Sequence, residues 1–335
     1  GAVCAKAIAK PMAAYIVRRI LYGILLMAGV VILNFFLIRL APGDPAEVIA
    51  GDMGGATAEG LASIRADYGL DQPLLTQLWV YLSGMLQGDL GQSYFFNRPV
   101  SELIAIRVGP TILLVIAAQV IAITIGTAMG VFAARKPGGL FSSVVSVIAT
   151  IGYAVPVFWM GIMLVILFAS IIPIFPVEGM ADVRLRNDPW LTRMVDILYH
   201  LCLPAFSLGI IFLAIYARLA RASMIDVLGA DYVRTARAKG ASEGSVLFKH
   251  ALRNAALPII TVAGLQFGGL ISGALLVETV FNWPGMGTLA FDAILRRDYT
   301  TMLGVLFFAS AMVVVANIIT DLSYRIADPR LRTET

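Results

Sequence analysis

The chain has 335 residues, of which 59% are hydrophobic and only 14% charged. Its mean hydropathy is +0.86. That is too apolar for an ordinary soluble domain and places the chain in lipid. The formal net charge of +4 is small for so long a chain and gives no ground for nucleic-acid binding. Cys4 and Cys202 lie far apart without ligand-type spacing, so neither a disulfide framework nor a cysteine metal site is expected.

A helix needs roughly 20 largely apolar residues to cross about 30 Å of hydrocarbon. Six windows free of Asp, Glu, Lys and Arg approach or exceed that length: 20–38, 108–134, 137–177, 197–217, 254–277 and 299–320. The expected order is a tail at 1–14, a first span at 15–40 containing Asn34, and an outer segment at 41–107. A second span follows at 108–134 with Gln119 inside it. The third window holds either two short helices or one span at 138–172. Pro156, followed by Pro173 and Pro176, favours a single kinked helix that ends in a tight loop at 173–196. The fourth span is expected at 197–217, a long connection at 218–254, and the fifth span at 255–277. That fifth span carries Gln266 among Gly264, Gly268, Gly269 and Gly273, interleaved small residues that permit close backbone approach. A loop at 278–298, a sixth span at 299–322 with Asn317, and a tail at 323–335 complete the chain.

Charge sets the orientation. With six crossings and the N-terminus inside, the inner face collects Arg18, Arg19, Arg135, Lys136, Arg218, Arg221, Arg234, Arg237, Lys239, Lys249, Arg253, Arg325, Arg330 and Arg332. A seventh crossing in the third window would put the basic stretch 218–253 outside, against the positive-inside rule. Both termini are therefore expected in the cytoplasm. The outer segment is acidic, with Asp44, Glu47, Asp52, Glu59, Asp67, Asp71, Asp89 and Glu102 against Arg65, Arg98 and Arg107. Such acidity serves either to dock a soluble partner or simply as the counterpart of the orientation rule.

No G-x-x-x-x-G-K-[ST] loop occurs, so the chain is not expected to hydrolyse ATP itself. His200 and His250 are the only histidines and stand far apart, and no metal site is expected. Ion-coupled transporters hold ionisable groups at mid-membrane. The middles of these spans hold neutral Asn34, Gln119, Gln266 and Asn317 instead. For each, an interhelical hydrogen bond and a place in a translocation pathway are both open, and packing is the commoner use.

The 218–254 connection is far longer than a simple link requires. Asp231 is placed to cap a short helix running to Lys239, with Thr235, Ala236 and Ala238 supplying small side chains and Arg234 and Arg237 one turn apart. Gly240 suits the left-handed residue that ends a helix. Ser242 is placed to cap a second helix at 243–253, which sets Val246, Leu247 and Ala251 on one side before Pro258 opens the fifth span. A small-faced basic helix of this kind either enters a groove on another protein or lies on anionic lipid.

The run Asp231-Tyr-Val-Arg-Thr-Ala-Arg-Ala-Lys-Gly240, followed by His250-Ala-Leu-Arg-Asn-Ala-Ala-Leu-Pro258, closely resembles the cytoplasmic signature of the first permease subunit of dipeptide/oligopeptide ABC importers. Further landmarks agree in order: Pro42-Gly-Asp-Pro45, Tyr68-Gly-Leu-Asp-Gln-Pro73, Gly88-Asp-Leu-Gly91, Gly152-Tyr-Ala-Val-Pro156, Phe281-Asn-Trp-Pro-Gly285 and Arg297-Asp-Tyr299. The resemblance implies an all-α membrane protein with the type I importer permease fold, in a bacterial inner membrane. It also implies a second homologous permease, two cytoplasmic ABC ATPases that carry the ATP and Mg, and an extracytoplasmic solute-binding protein that meets the outer segment. The stretch 230–240 becomes the coupling helix, with Asp231, Tyr232, Arg234, Thr235, Ala236, Arg237, Ala238, Lys239 and Gly240 as its contact residues. The broader importer motif opens Glu-Ala-Ala, where this chain has Arg234-Thr235-Ala236, which leaves Asp231 as the candidate acidic group. The implied cargo is a dipeptide or oligopeptide. Glutathione, a nickel chelate or an opine handled by the same family is the alternative, and a stand-alone secondary transporter is disfavoured.

Overall fold

The computed structural model describes residues 12–40, 46–47, 50, 55, 57–67 and 69–327. The expectations placed on residues 1–11, on Pro42-Gly-Asp-Pro45, on Asp52, on Tyr68 and on the basic end with Arg330 and Arg332 lie outside the described residues. Among the described residues the chain is helical. The only β pairing among those residues is an isolated antiparallel bridge between Gln92 and Pro99.

In chain order the helices are α1 (Met12–Leu40), α2 (Ala58–Asp67), α3 (Leu74–Leu86), α4 (Val100–Ala134), α5 (Leu140–Ala154), α6 (Val157–Ile171), α7 (Trp190–Leu228), α8 (Asp231–Ala238), α9 (Glu243–Val280), α10 (Met286–Leu295) and α11 (Tyr299–Ala327). Among the described residues five helices are long and apolar enough to cross a membrane, and the bent pair α5–α6 makes six if it counts as one span.

That pair departs from the single kinked helix expected of the third window. The helix axis bends by 107° between its two halves. Pro156 has no N–H to give and disfavours a helical conformation at the preceding residue. Val155 is accordingly extended, with φ −85° and ψ 129°. Each half has 15 residues and reaches only about 22 Å, short of the hydrocarbon thickness.

Other boundaries move outward. The helix at the fourth span runs 39 residues, about 58 Å, because nothing in 218–228 interrupts it before Gly229. The second and fifth spans lengthen in the same way. A separate second helix at 243–253 is not formed: Glu243–Val280 is continuous, with a π turn at Val246–Ala251, and Pro258 lies inside it rather than opening it.

The chain divides into two compact units. One comprises 111–283 and the chain from Ala316 onward, and α7 forms its centre. Over the most apolar part of α7, 56% of residues are buried, against 17–28% in the other long spans. Surrounded by protein, α7 is apolar on most sides. Helix α4 approaches it backbone to backbone: a Cβ added at Gly130 would stand 2.5 Å from Ala217 O. Only glycine fits there.

The other unit comprises 11–110 and 284–315. Its core is Val100, Leu103, Ile104, Met286, Leu289 and Val305. Asp298, 1% exposed, caps α11: its carboxylate accepts from Thr301 N at 3.1 Å and Thr301 Oγ1 at 2.7 Å, and also from Ser93 Oγ. The Arg296 guanidinium lies 4.4 Å from the centre of the Phe95 ring.

Candidate functional site

Helix α8 follows α7 after a two-residue break. Ala230, extended at φ −72° and ψ 149°, is its N-cap and makes no side-chain capping bond. Asp231 is thus the first helical residue and not the cap that the sequence suggested. Its carboxylate sits at the positive end of the helix and 3.6 Å from Arg234. The helix ends at Ala238, and Gly240, at φ +83°, takes the left-handed conformation expected of it. Ser242 caps the next helix by accepting from Ser245 N at 3.4 Å.

Three attachments hold α8. Val233 is fully buried. Asn254 Nδ2, on α9, donates to Tyr232 Oη at 2.7 Å. Arg237 Nε donates to Glu243 Oε1 at 2.9 Å, tying the end of α8 to the start of α9. Beneath them Val131, Ala134, Met224, Leu247, Ala251 and Ala255 form one apolar cluster, so α4, α7 and α9 meet at this end of the unit. Val246, Leu247 and Ala251, expected on one side of their helix, are all buried.

The outward face of α8 is consequently defined. Asp231, Arg234, Thr235, Ala238 and Lys239 are exposed, whereas Ala236 is half-buried beside the anchored face. Thr235 Oγ1 turns back on its own helix to donate to Asp231 O at 3.0 Å. A short, small-residue ridge with a charged rim and a rigid base is a shape that inserts into a groove.

Gln119 Nε2, on α4, donates to Tyr216 Oη on α7 at 3.1 Å and to Ala263 O on α9 at 2.9 Å, joining three helices. This is the packing use. Gln266 is half-buried, Asn34 is half-buried and Asn317 is exposed. The glycines around Gln266 do serve close approach: a Cβ at Gly264 would stand 2.7 Å from Thr320 Cγ2, and Thr320 Oγ1 donates to Gly264 O at 2.8 Å.

One buried carboxylate escaped the sequence reading. Glu278, fully buried, accepts from Thr111 Oγ1 at 2.6 Å. It lies one residue past the expected end of the fifth span, so a scan for apolar windows stops short of it. Its signal was a lone acid between Val277 and Val280, just before the Phe281-Asn-Trp run. That run closes α9. Asn282 takes a left-handed φ of 46°, Trp283 N donates to Glu278 O at 2.8 Å, and Phe281 and Trp283 are buried. Among the described residues no three His, Cys, Asp or Glu side chains converge as metal ligands.

The family model of the binding-protein-dependent transport system inner membrane component matches residues 126–333. The model of the N-terminal part of such membrane components matches residues 12–117. The chain is 43% identical over 321 residues to the probable peptide ABC transporter permease protein y4tP of Sinorhizobium fredii, covering 96% of this chain and 100% of that protein. It is 39% identical over 337 residues to the dipeptide transport system permease protein DppB of Escherichia coli K12, covering 96% and 99%. With the di/tripeptide transport system permease protein DppB of Pseudomonas aeruginosa the identity is 40%, covering 96% and 99%. Among solved structures, an inward-facing form of the MetNI methionine ABC transporter shares the fold at a TM-score of 0.53 and 17% identity, covering 68% of this chain and 96% of that one.

Proposed function

The chain belongs to the binding-protein-dependent transport system inner membrane component family, and we propose that it forms half of the translocation pathway of an ATP-driven importer of dipeptides or short oligopeptides. Likeness to peptide and dipeptide permeases over 96% of the chain is the observation that carries this reading. A second, homologous permease supplies the other half. Two cytoplasmic ABC ATPases bind and hydrolyse ATP with Mg, and an extracytoplasmic binding protein delivers the solute.

In this scheme the chain has six spans with both termini in the cytoplasm, and α8 enters a groove on one ATPase. Asp231, Arg234, Thr235 and Ala238 meet the groove, and Lys239 lies at its rim. Tyr232, Val233, Ala236 and Arg237 fix the helix from behind, and Gly240 reverses the chain. Closure of the ATPases on ATP then displaces α8 together with α9. The solute path runs past neutral polar groups, Gln266 foremost, with Asn34 and Asn317 as further contacts. A path without fixed charge suits peptides whose side chains vary in sign.

The test is uptake of a labelled dipeptide by proteoliposomes holding the chain with its partner subunits. Uptake is expected only with ATP, the ATPases and the binding protein together. Uptake by the chain alone would replace this reading with that of a secondary transporter. Sidedness is checked by cysteine labelling in sealed cells: a membrane-impermeant maleimide should reach Asp182→Cys and not Ser242→Cys.

A further inference from the structure

Beside α8 the larger unit holds an open cavity of about 700 Å³, set between the α4–α5 turn and the start of α9. Its lining changes character within one helical turn. Phe132 contributes an exposed ring packed edge-on against Phe248 of α9, with 6.2 Å between centroids. Leu140 and Phe141, at the start of α5, are 83% and 52% exposed. Between them stand Arg135 and Lys136, directly after the last residue of α4.

The charges on this rim do not cancel. Glu243 is held by Arg237 at 2.9 Å, and among the described residues no acid pairs with Arg135 or Lys136. The first turn of α5 opens onto the same space, with Gly139 as an N-cap that makes no side-chain bond, and so adds its positive end. The positive-inside rule accounts for cations at an inner face. It does not account for a cavity that joins two unpaired cations to large apolar side chains left bare at the ends of membrane helices.

We propose that this cavity binds the headgroup of an anionic phospholipid of the inner leaflet, with the phosphate on Arg135 and Lys136 and the acyl chains along Phe132, Leu140 and Phe141. A soluble anion would satisfy the cations and leave the apolar rim in water; a lipid satisfies both. The sidedness rests on the six-span reading above. Since Arg237 and Glu243 share the cavity wall, an occupied site would steady the joint between α8 and α9.

The experiment is native mass spectrometry of the whole transporter, with its partner subunits, titrated with phosphatidylglycerol, with phosphatidylcholine of the same chains, and with inorganic phosphate. Each cation near an anionic headgroup strengthens binding about fivefold, so Arg135→Gln with Lys136→Gln should lower phosphatidylglycerol affinity by about tenfold or more. Leu140→Asn should also weaken it, and Arg186→Gln, in the exposed loop before α7, should not. Equal affinity for the two lipids, or an unchanged double variant, would overturn the proposal. Displacement of phosphatidylglycerol by phosphate at matched ionic strength would make this a free-anion site, and loss of the ATPases from the double variant would make it an ATPase contact. Peptide uptake is not the readout, so failure here and failure of the importer reading are separable.

Discussion

Val233 is the residue that decides whether α8 is a rigid lever or a loose flap. Replacing it by Ala removes the equivalent of two methylene groups from a fully buried position. At about 0.8 kcal/mol per group that is about 1.6 kcal/mol, and incomplete collapse of the space brings the loss to about 2 kcal/mol. The other two attachments are weaker. The Asn254–Tyr232 hydrogen bond contributes about 1 kcal/mol, and the Arg237–Glu243 pair, with side chains 41% and 56% exposed, less than about 1 kcal/mol. A loss of about 2 kcal/mol multiplies the open population of α8 about thirtyfold. Amide hydrogen exchange over residues 229–242 in the purified transporter reads that population directly. Val233→Ala should speed exchange there by about that factor, leave the α7 core unchanged, and lower peptide uptake per ATP hydrolysed. Unchanged exchange in Val233→Ala, with strong acceleration in Arg237→Gln, would refute the reasoning: the helix would then be held by its charges.

The outward face can be tested by bulk. Ala238→Trp should prevent retention of the ATPases on affinity purification while the chain still inserts in the membrane, since overpacking a fitted site costs about 1–3 kcal/mol. Gly264→Leu forces atoms into the space taken by Thr320 Cγ2 and should cost about 1–3 kcal/mol, seen as a lower thermal unfolding temperature in detergent. Gln119→Leu should cost less, about 0.6–2 kcal/mol for its interhelical bonds, so that the order of the two unfolding temperatures is the readout. Gln266→Glu should slow uptake of anionic peptides more than cationic ones, because like charge repels strongly where the dielectric is low; equal slowing of both would return Gln266 to helix packing.

What the sequence disclosed, and what it withheld, follows the physics of each signal. Apolar windows depend on composition alone, and five of the six fall on helices that, among the described residues, are long and apolar enough to cross a membrane. Gly240 and Ser242 were legible because a left-handed turn and an N-cap each demand a small set of residues. The N-cap at Ala230 was not, because Asp231 is as favourable in a first turn as in a cap, and only the backbone angles separate the two. Hydropathy also misplaces helix ends: it registers the lipid boundary, while the helix of α7 continues to Leu228 wherever no residue breaks it. The partners of Gln119 come from residues 97 and 144 positions away. No local pattern encodes such a contact.

The fusion of the expected second cytoplasmic helix with the fifth span has a mechanical consequence. Two helices joined by a flexible link at Arg253 would absorb a displacement of α8 as bending at the link. A continuous α9 cannot do so cheaply, because its interior turns, that of Pro258 excepted, are closed by backbone hydrogen bonds that bending would stretch. Besides Pro258, which has no N–H to close its turn, its departure from α geometry is the π turn at Val246–Ala251, which lies immediately against α8 and is packed by Val246, Leu247 and Ala251, all buried. Compliance is therefore placed at the joint and, further along, at Pro258, while the rest of the 29-residue helix Leu252–Val280 resists bending. That helix carries Gln266 and Glu278, so in the importer scheme proposed above a shift imposed at α8 would be passed along it toward both.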